Sequence, residues 1–335
     1  MKELLFALSR ADGVAGQRGA AKVILGLLPA CARGEIDPLG GVRAVMGEGE
    51  TTILLAAHLD QVGLTVTHIT KEGFLQAAKT GSPDVRALPG NLLTVHGKRA
   101  VPAVVCAAPP HLSKKDEPFP SFDQLYLDTG LPAEEVKRLI FPGDRVTYDM
   151  DPAELENGLC TGRSFGDRAG CAVLLETAKR LANEKLPCRV VFAFTAMEEL
   201  GCQGAKIAGF AEQPDQALAV DVSFGDYEGV PAHQCGKLGE GPMIGVAPVL
   251  DRGITQRLIA LAKREKLPYQ LEGMGGKTST DADAITVAGR GVPSGLVSIP
   301  LRNMHSPVEV LDEKDLESCC RLFCAYLLEG GRRCD

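Results

Sequence analysis

The stretch Thr195–Ala205, TAMEELGCQGA, follows an apolar run, Cys188–Phe194, that is rich in β-branched and aromatic residues. Such a run predicts a buried strand. It leads directly into two adjacent carboxylates, Glu198 and Glu199, and ligands of open α/β sheets bind beyond the carboxyl ends of the strands. Either a metal ion binds one glutamate while the other carries a proton, or the two form a solvated pair in a loop.

The composition is that of a globular enzyme. The chain has 335 residues, 45% of them hydrophobic and 24% charged, enough for one large domain or two. A formal net charge of -7 argues against nucleic acid or an anionic membrane as a partner. We find no apolar run near the ~18 residues of a spanning helix and no signal-peptide pattern at the start.

The cysteines point to a reducing compartment. There are eleven of them, with no CxxC pair and no regular spacing, which favours a cytoplasmic protein with structural thiols over a disulfide framework. Zinc held by thiolates is therefore not expected.

A second candidate ligand lies at the end of an earlier strand. The run Thr51–Leu64 predicts a buried strand whose apolar part ends in His58 and Asp60. Residues i and i+2 of an extended segment face the same side, so the carboxylate can orient a metal-binding imidazole. A single histidine at a strand end is more often structural, and this pair gains meaning only with the other candidates.

The rhythm of strands and helices stops between residues 68 and 161. Short β-like pieces and turn residues follow one another there, with one helix at Ala133–Leu139 and a loop rich in proline and charge at Pro109–Pro120. This pattern of short strands and turns predicts a β-rich module inserted into an α/β domain. Residues 1–67 and 162–335 would then form the main domain.

Two more strands carry chemistry-bearing residues. Asp221 lies inside the apolar strand Gln216–Phe224, where an unpaired carboxylate is costly, and His305 ends the last strand, Pro293–Pro307. Two imidazoles with several carboxylates suit zinc, cobalt or manganese. Further helices are predicted at Lys2–Ser9, Ala20–Ala32 and Glu313–Leu328.

Six motifs give the chain a family resemblance: AAHLDQVGL, TGRSFGDRAGCAVLLE, TAMEELGCQGA, AVDVSFGD, STDADAI and IPLRNMHSPVEV. Together they resemble peptidase family M42, the glutamyl-aminopeptidase-like enzymes, some formerly described as endoglucanases. The resemblance implies an α/β fold, with a mixed central sheet flanked by helices and an inserted β-barrel-like dimerisation domain. It also implies two divalent metal ions per subunit (zinc, cobalt or manganese) and homo-oligomers from dimers to tetrahedral dodecamers.

The resemblance also implies roles for individual residues. Glu198 would be the general base, and Asp60 would orient an imidazole ligand. Four metal ligands are implied in two pairs, His58 with Asp221 and Glu199 with His305.

One ligand departs from the family pattern. The family has an aspartate that bridges the two metals, followed by Asp or Asn and then arginine, whereas Gly166 stands at the bridging position here and Asp167 follows it. Either the loop shifts so that Asp167 reaches inward as a metal ligand, which glycine permits, or the site holds one metal or none.

The leading hypothesis is a cytoplasmic, metal-dependent aminopeptidase-like hydrolase that removes N-terminal residues from short peptides through metal-activated water. One alternative is a catalytically impaired relative that acts as a peptide-binding or assembly subunit. Another keeps the hydrolase but changes the substrate to an acylated amino acid or another amide. A glucanase is disfavoured because a pair of carboxylates suffices for that chemistry, which leaves both histidines unexplained.

Overall fold

A computed structural model describes residues 1–106, 111 and 121–332. In this part of the chain, helices pack on a large mixed sheet. A closed barrel of six strands is inserted in the sequence between strands of that sheet. The predicted fold class is confirmed. The predicted loop Pro109–Pro120, except for its exposed His111, lies outside the described residues.

The described strands are, in chain order, Arg33–Ile36 (β1), Val42–Met46 (β2), Thr52–His58 (β3), Gly63–Ile69 (β4), Leu75–Thr80 (β5), Leu92–His96 (β6), Ala100–Val105 (β7), Tyr126–Asp128 (β8), Arg145–Tyr148 (β9), Ala153–Glu154 (β10), Leu159–Gly162 (β11), Arg189–Thr195 (β12), Gln216–Phe224 (β13), Met243–Val246 (β14), Gln270–Gly273 (β15), Ser294–Leu301 (β16) and Glu309–Asp312 (β17). The described α-helices are Lys2–Arg10 (α1), Gly19–Leu27 (α2), Ala133–Leu139 (α3), Phe165–Arg180 (α4), Gln203–Glu212 (α5), Arg252–Arg264 (α6), Asp281–Thr286 (α7) and Glu313–Leu328 (α8).

The main sheet brings the ends of its central strands to one edge. Its order is β1-β2-β12-β3-β13-β16-β14-β15, and β12, β3, β13 and β16 run parallel to their neighbours in this group. Parallel strands are covered on both faces and read as continuous apolar runs. In this register His58 lies beside Thr195, three residues before Glu198.

Two of the helices that pack on this sheet form much of the main core. The helices α4 and α8 pack on each other, and their buried side chains include Leu175 and Phe323. The helix α8 has the bounds expected from the sequence, and the Asp312 side chain caps its start by accepting a hydrogen bond from the N–H of Lys314. The helix expected at Ala20–Ala32 ends earlier, because Leu28 precedes a proline and takes an extended conformation.

The inserted barrel has the strand order β4-β5-β8-β7-β6-β9 and a core of its own. Its first described strand begins at Gly63 and its last ends at Tyr148, whereas the sequence suggested a module over 68–161. The strand expected at Thr51–Leu64 is in fact two strands, β3 in the main sheet and β4 in the barrel. At the other end, β10 and β11 form a small sheet with β17.

Two observations concern the rest of the described chain. No helix in it is long and apolar enough to cross a membrane. All ten of the cysteines that lie in it are free thiols.

The alternation of burial along β6 gives a test of the barrel core. Leu93 is 1% exposed and its neighbour Leu92 is 55% exposed. Leu93→Ala should lower the free energy of unfolding by about 2–5 kcal/mol, since it leaves a cavity. Leu92→Ala should change it by about 0.5 kcal/mol or less. Urea denaturation of both variants measures this, and equal losses would contradict the burial pattern.

Candidate metal centre

The Asp60 carboxylate holds the loop that follows β12. Its Oδ1 accepts a hydrogen bond from the N–H of Glu198 at 3.0 Å, and its Oδ2 accepts one from the N–H of Glu199 at 3.3 Å. Asp60 is 1% exposed, so these bonds are shielded from water. The chain after β3 is thereby tied to the glutamate pair, a role that the sequence did not indicate.

The His58 ring is oriented by the same residue. Its Nδ1 lies 3.1 Å from the Asp60 carbonyl oxygen and 3.6 Å from Oδ1. A carbonyl oxygen only accepts, so Nδ1 carries the hydrogen. The other ring nitrogen, Nε2, lies 3.8 Å from Glu198 Oε2 and 3.9 Å from Asp221 Oδ1.

The His305 ring has a matching arrangement, but the barrel supplies its support. Its Nδ1 lies 2.9 Å from the carbonyl oxygen of Ser82, which follows β5. Its Nε2 lies 3.5 Å from Glu199 Oε1. A histidine that ligates a metal usually donates its other N–H to a carbonyl or a carboxylate, and both imidazoles here have that geometry.

Glu309 joins two parts of the site, which sequence reasoning missed. It is 2% exposed and accepts hydrogen bonds from the N–H of His305 at 2.7 Å and of Gly166 at 3.1 Å. A charged residue in the apolar run after His305, PVEV, was the available signal.

These side chains face a cavity of about 500 Å³. Of the residues singled out in the sequence, it is lined by His58, Gly166, Glu198, Glu199, Asp221 and His305. The two pairs implied by the resemblance, His58 with Asp221 and Glu199 with His305, are adjacent. Their metal-binding roles stay predictions.

The cavity is electrostatically suited to a cation. Burial raises the pKa of Glu198, Glu199 and Asp221 to about 7 in each case. Burial alone would lower the pKa of His58, but Asp60 and the other nearby carboxylates raise it well above its usual value. Crowded, buried carboxyl groups are relieved by a divalent ion. Ligand atoms of His58, Glu198 and Glu199 lie within 4.8 Å of one another, so the donor set fits a metal.

Gly166 stands where the resemblance implies a bridging aspartate, and it has no side chain. Gly166 lines the cavity, whereas Asp167, which is fully buried, is not among its lining residues. The Asp167 Oδ1 accepts a hydrogen bond from the N–H of Gly170 at 2.8 Å, and the Gly166–Asp167 peptide bond is cis. The metal-ligand role of Asp167 therefore stays a prediction, and one of its carboxylate oxygens is already used in a hydrogen bond within α4.

Comparison with known proteins identifies the family of this chain. A model of the family "M42 glutamyl aminopeptidase" matches residues 40–322. The chain belongs to this family. The lysyl aminopeptidase of Pyrococcus furiosus is 30% identical over an alignment that covers 98% of this chain and 96% of that relative.

Solved structures of M42-type aminopeptidases share the whole fold. An aminopeptidase from the archaeon Desulfurococcus kamchatkensis superposes with a TM-score of 0.92 at 32% identity, covering 98% of this chain and 94% of that one. The TET1 peptidase of Pyrococcus horikoshii gives a TM-score of 0.88 at 31% identity, covering 98% and 99%. That protein can assemble into a tetrahedron or a large octahedral shell.

The missing carboxylate of this M42 chain gives a prediction about metal content. With no bridging side chain at Gly166, the protein should bind one divalent ion tightly and a second weakly, because two cations ~3.5–4 Å apart need a shared ligand between them. Gly166→Asp should raise the stoichiometry toward two and increase peptidase activity. Metal analysis after dialysis, together with a peptidase assay, measures both.

The control for this change is Gly166→Ala. A Cβ at this position would lie 3.0 Å from Val222 Cγ2, so either variant requires a small adjustment, but only the aspartate adds a ligand. Gly166→Asp combined with Val222→Ala removes the steric obstacle. If neither aspartate variant changes metal content or rate relative to Gly166→Ala, the missing carboxylate is not what limits the site.

Proposed function

We propose that this M42 protein is a metal-dependent aminopeptidase that removes N-terminal residues from short peptides. The observation that carries the proposal is the pair of imidazoles, His58 and His305. Each donates Nδ1–H to a backbone carbonyl and turns Nε2 toward buried carboxylates. That arrangement is typical of metal ligands.

The metal ligands would be His58 and Asp221 for one ion, and Glu199 and His305 for another. When bound, such ions polarise the peptide carbonyl and lower the pKa of a water molecule. Asp60 holds the His58 ring and the glutamate loop in place through its carbonyl and carboxylate oxygens.

Glu198 would move the proton. Its Oε2 faces the cavity 3.8 Å from His58 Nε2, and burial raises its pKa to about 7. A carboxylate whose pKa lies near the working pH both accepts a proton from water and returns it to a leaving amine. Its neighbour Glu199 faces His305 instead, so the two glutamates have separate partners.

One observation favours a second candidate function. Gly166 supplies no bridging carboxylate, so a paralogue with one metal or none, binding peptides or serving in an assembly, would also explain the cavity. Activity of the purified protein with added zinc, cobalt or manganese separates the two functions. The free thiols of the described residues support the cytoplasm as its compartment.

Homo-oligomers are part of the proposal, because the similar TET1 peptidase can assemble into a tetrahedron or a large octahedral shell. The barrel would carry much of the contact between subunits, with exposed apolar side chains such as Phe74 and Phe141.

Glu198→Gln tests the proposed base. The amide keeps the shape of the side chain but cannot take a proton, so kcat should fall by about 10²–10⁴ while the fold is unchanged. Glu72→Gln, an exposed glutamate of the barrel, is the matched control and should keep full activity. Normal turnover in Glu198→Gln would remove this residue from the mechanism.

Excision of the barrel tests the assembly. Leu64 lies opposite Val146 in the β4–β9 pair, so their Cα atoms are roughly 5 Å apart and a two-residue Asn-Gly turn can replace residues 65–145. The shortened chain should form a lower oligomer than the full chain in light scattering. Retention of the full assembly would show that the contacts lie elsewhere.

A further inference from the structure

A second group of possible metal ligands lies beside the first. It consists of Glu198, Cys202 at the start of α5, and Asp281 at the start of α7, whose ligand atoms all lie within 4.8 Å of one another. Glu198 belongs to both groups and divides its oxygens between them. Oε2 is 3.8 Å from His58 Nε2, and Oε1 is 3.5 Å from the Cys202 sulfur.

The Asp281 carboxylate is incompletely satisfied. It is 3% exposed, and its Oδ2 accepts a hydrogen bond from the Thr195 hydroxyl. Its Oδ1 is buried with no hydrogen-bond partner among the described residues. A buried carboxylate oxygen without a partner is costly, and a cation held at this cluster would remove that cost.

The Cys202 thiol is free to change partners. Its contacts, to Glu198 Oε1 and to the carbonyl oxygen of Thr280 at 3.7 Å, are long and weak. Burial raises the pKa of the thiol, and the carboxylates of Asp281 and Glu198 raise it further. A cation bound between these groups would reverse that effect.

We propose that Glu198, Cys202 and Asp281 form a distinct zinc site that inhibits the enzyme when zinc is in excess. One thiolate with two carboxylates favours zinc or cadmium over magnesium or manganese. Binding replaces the S–H bond of Cys202 with a metal–sulfur bond and releases the proton to solvent. Cysteine spacing did not indicate such a site, because it uses only one cysteine and Asp281 comes from a distant part of the sequence.

The inhibitory effect rests on the proposed function of Glu198. A carboxylate held by a cation on the Cys202 side cannot accept a proton on the His58 side. Rising zinc should therefore first support activity and then suppress it, whereas manganese should only support it. The binding itself does not depend on turnover.

The test uses the unmodified protein and its Cys202→Ser variant, with Cys31→Ser, which removes an exposed thiol, as the matched control. Iodoacetamide labelling of Cys202, located by mass spectrometry, is followed with and without zinc. Cadmium binding is followed by thiolate charge-transfer absorbance. Zinc should protect Cys202 from labelling. The absorbance band that appears at the lowest cadmium concentration should be absent in Cys202→Ser and present in Cys31→Ser.

The inhibitory zinc concentration should rise at least ~10-fold in Cys202→Ser. Loss of a residue that only hydrogen-bonds to a metal ligand already weakens metal affinity by that factor. Equal labelling of Cys202 with and without zinc would overturn the site. If zinc protects Cys202 but the protein has no peptidase activity with any metal, the site stands and the proposed function falls. Unchanged zinc inhibition in Cys202→Ser, with protection intact in the parent, would overturn the inhibitory role.

Discussion

The geometry of this centre depends on one carboxylate, that of Asp60. It accepts hydrogen bonds from two consecutive backbone N–H groups, those of Glu198 and Glu199. Hydrogen bonds to a carboxylate are among the stronger ones in proteins. The chain turns sharply just before this pair, because Met197 has a φ of 61°. The anchored turn is what lets adjacent glutamates take different partners. Glu198 faces His58, and Glu199 faces His305.

The barrel takes part in the site as well as adding surface to the molecule. The Ser82 carbonyl fixes the His305 ring, and the residue before it, Gly81, approaches Glu199 closely. A Cβ on Gly81 would lie 3.0 Å from Glu199 Oε2, and its φ of 74° is one that glycine tolerates best. The segment after β5 therefore packs closely against Glu199 and orients the ring of His305. Any change in how the barrel sits on the main domain would move both.

The sequence predicted those features of the fold and site that depend on side-chain type and on the spacing of apolar residues. Apolar runs predicted the central strands, and sheet topology then placed His58, Glu198 and Asp221 together, because parallel strands end at one edge. The break between β3 and β4 was missed, since the apolar character continues through Val62 and Leu64 while the backbone changes sheets. The Ser82 contact was out of reach for another reason. A backbone carbonyl has no signature in the sequence, and this one lies 223 positions from the ring that it orients.

Position 166, where the resemblance implies a bridging aspartate, links the number of buried carboxylates to the number of metal ions that the cavity could hold. Glu309 already lies behind Gly166, accepting its N–H, and burial raises the Glu309 pKa to about 8. The Glu309 Oε1 would be 3.8 Å from a Cβ at position 166, so a carboxylate there would be set against another buried acid. Only a cation between ligands makes that arrangement favourable. Glycine avoids the repulsion and removes one negative charge from the cavity, and a cavity with one charge fewer screens two divalent ions less well. Glycine thus relieves the metal-free protein, and we expect it to weaken the binding of a second metal.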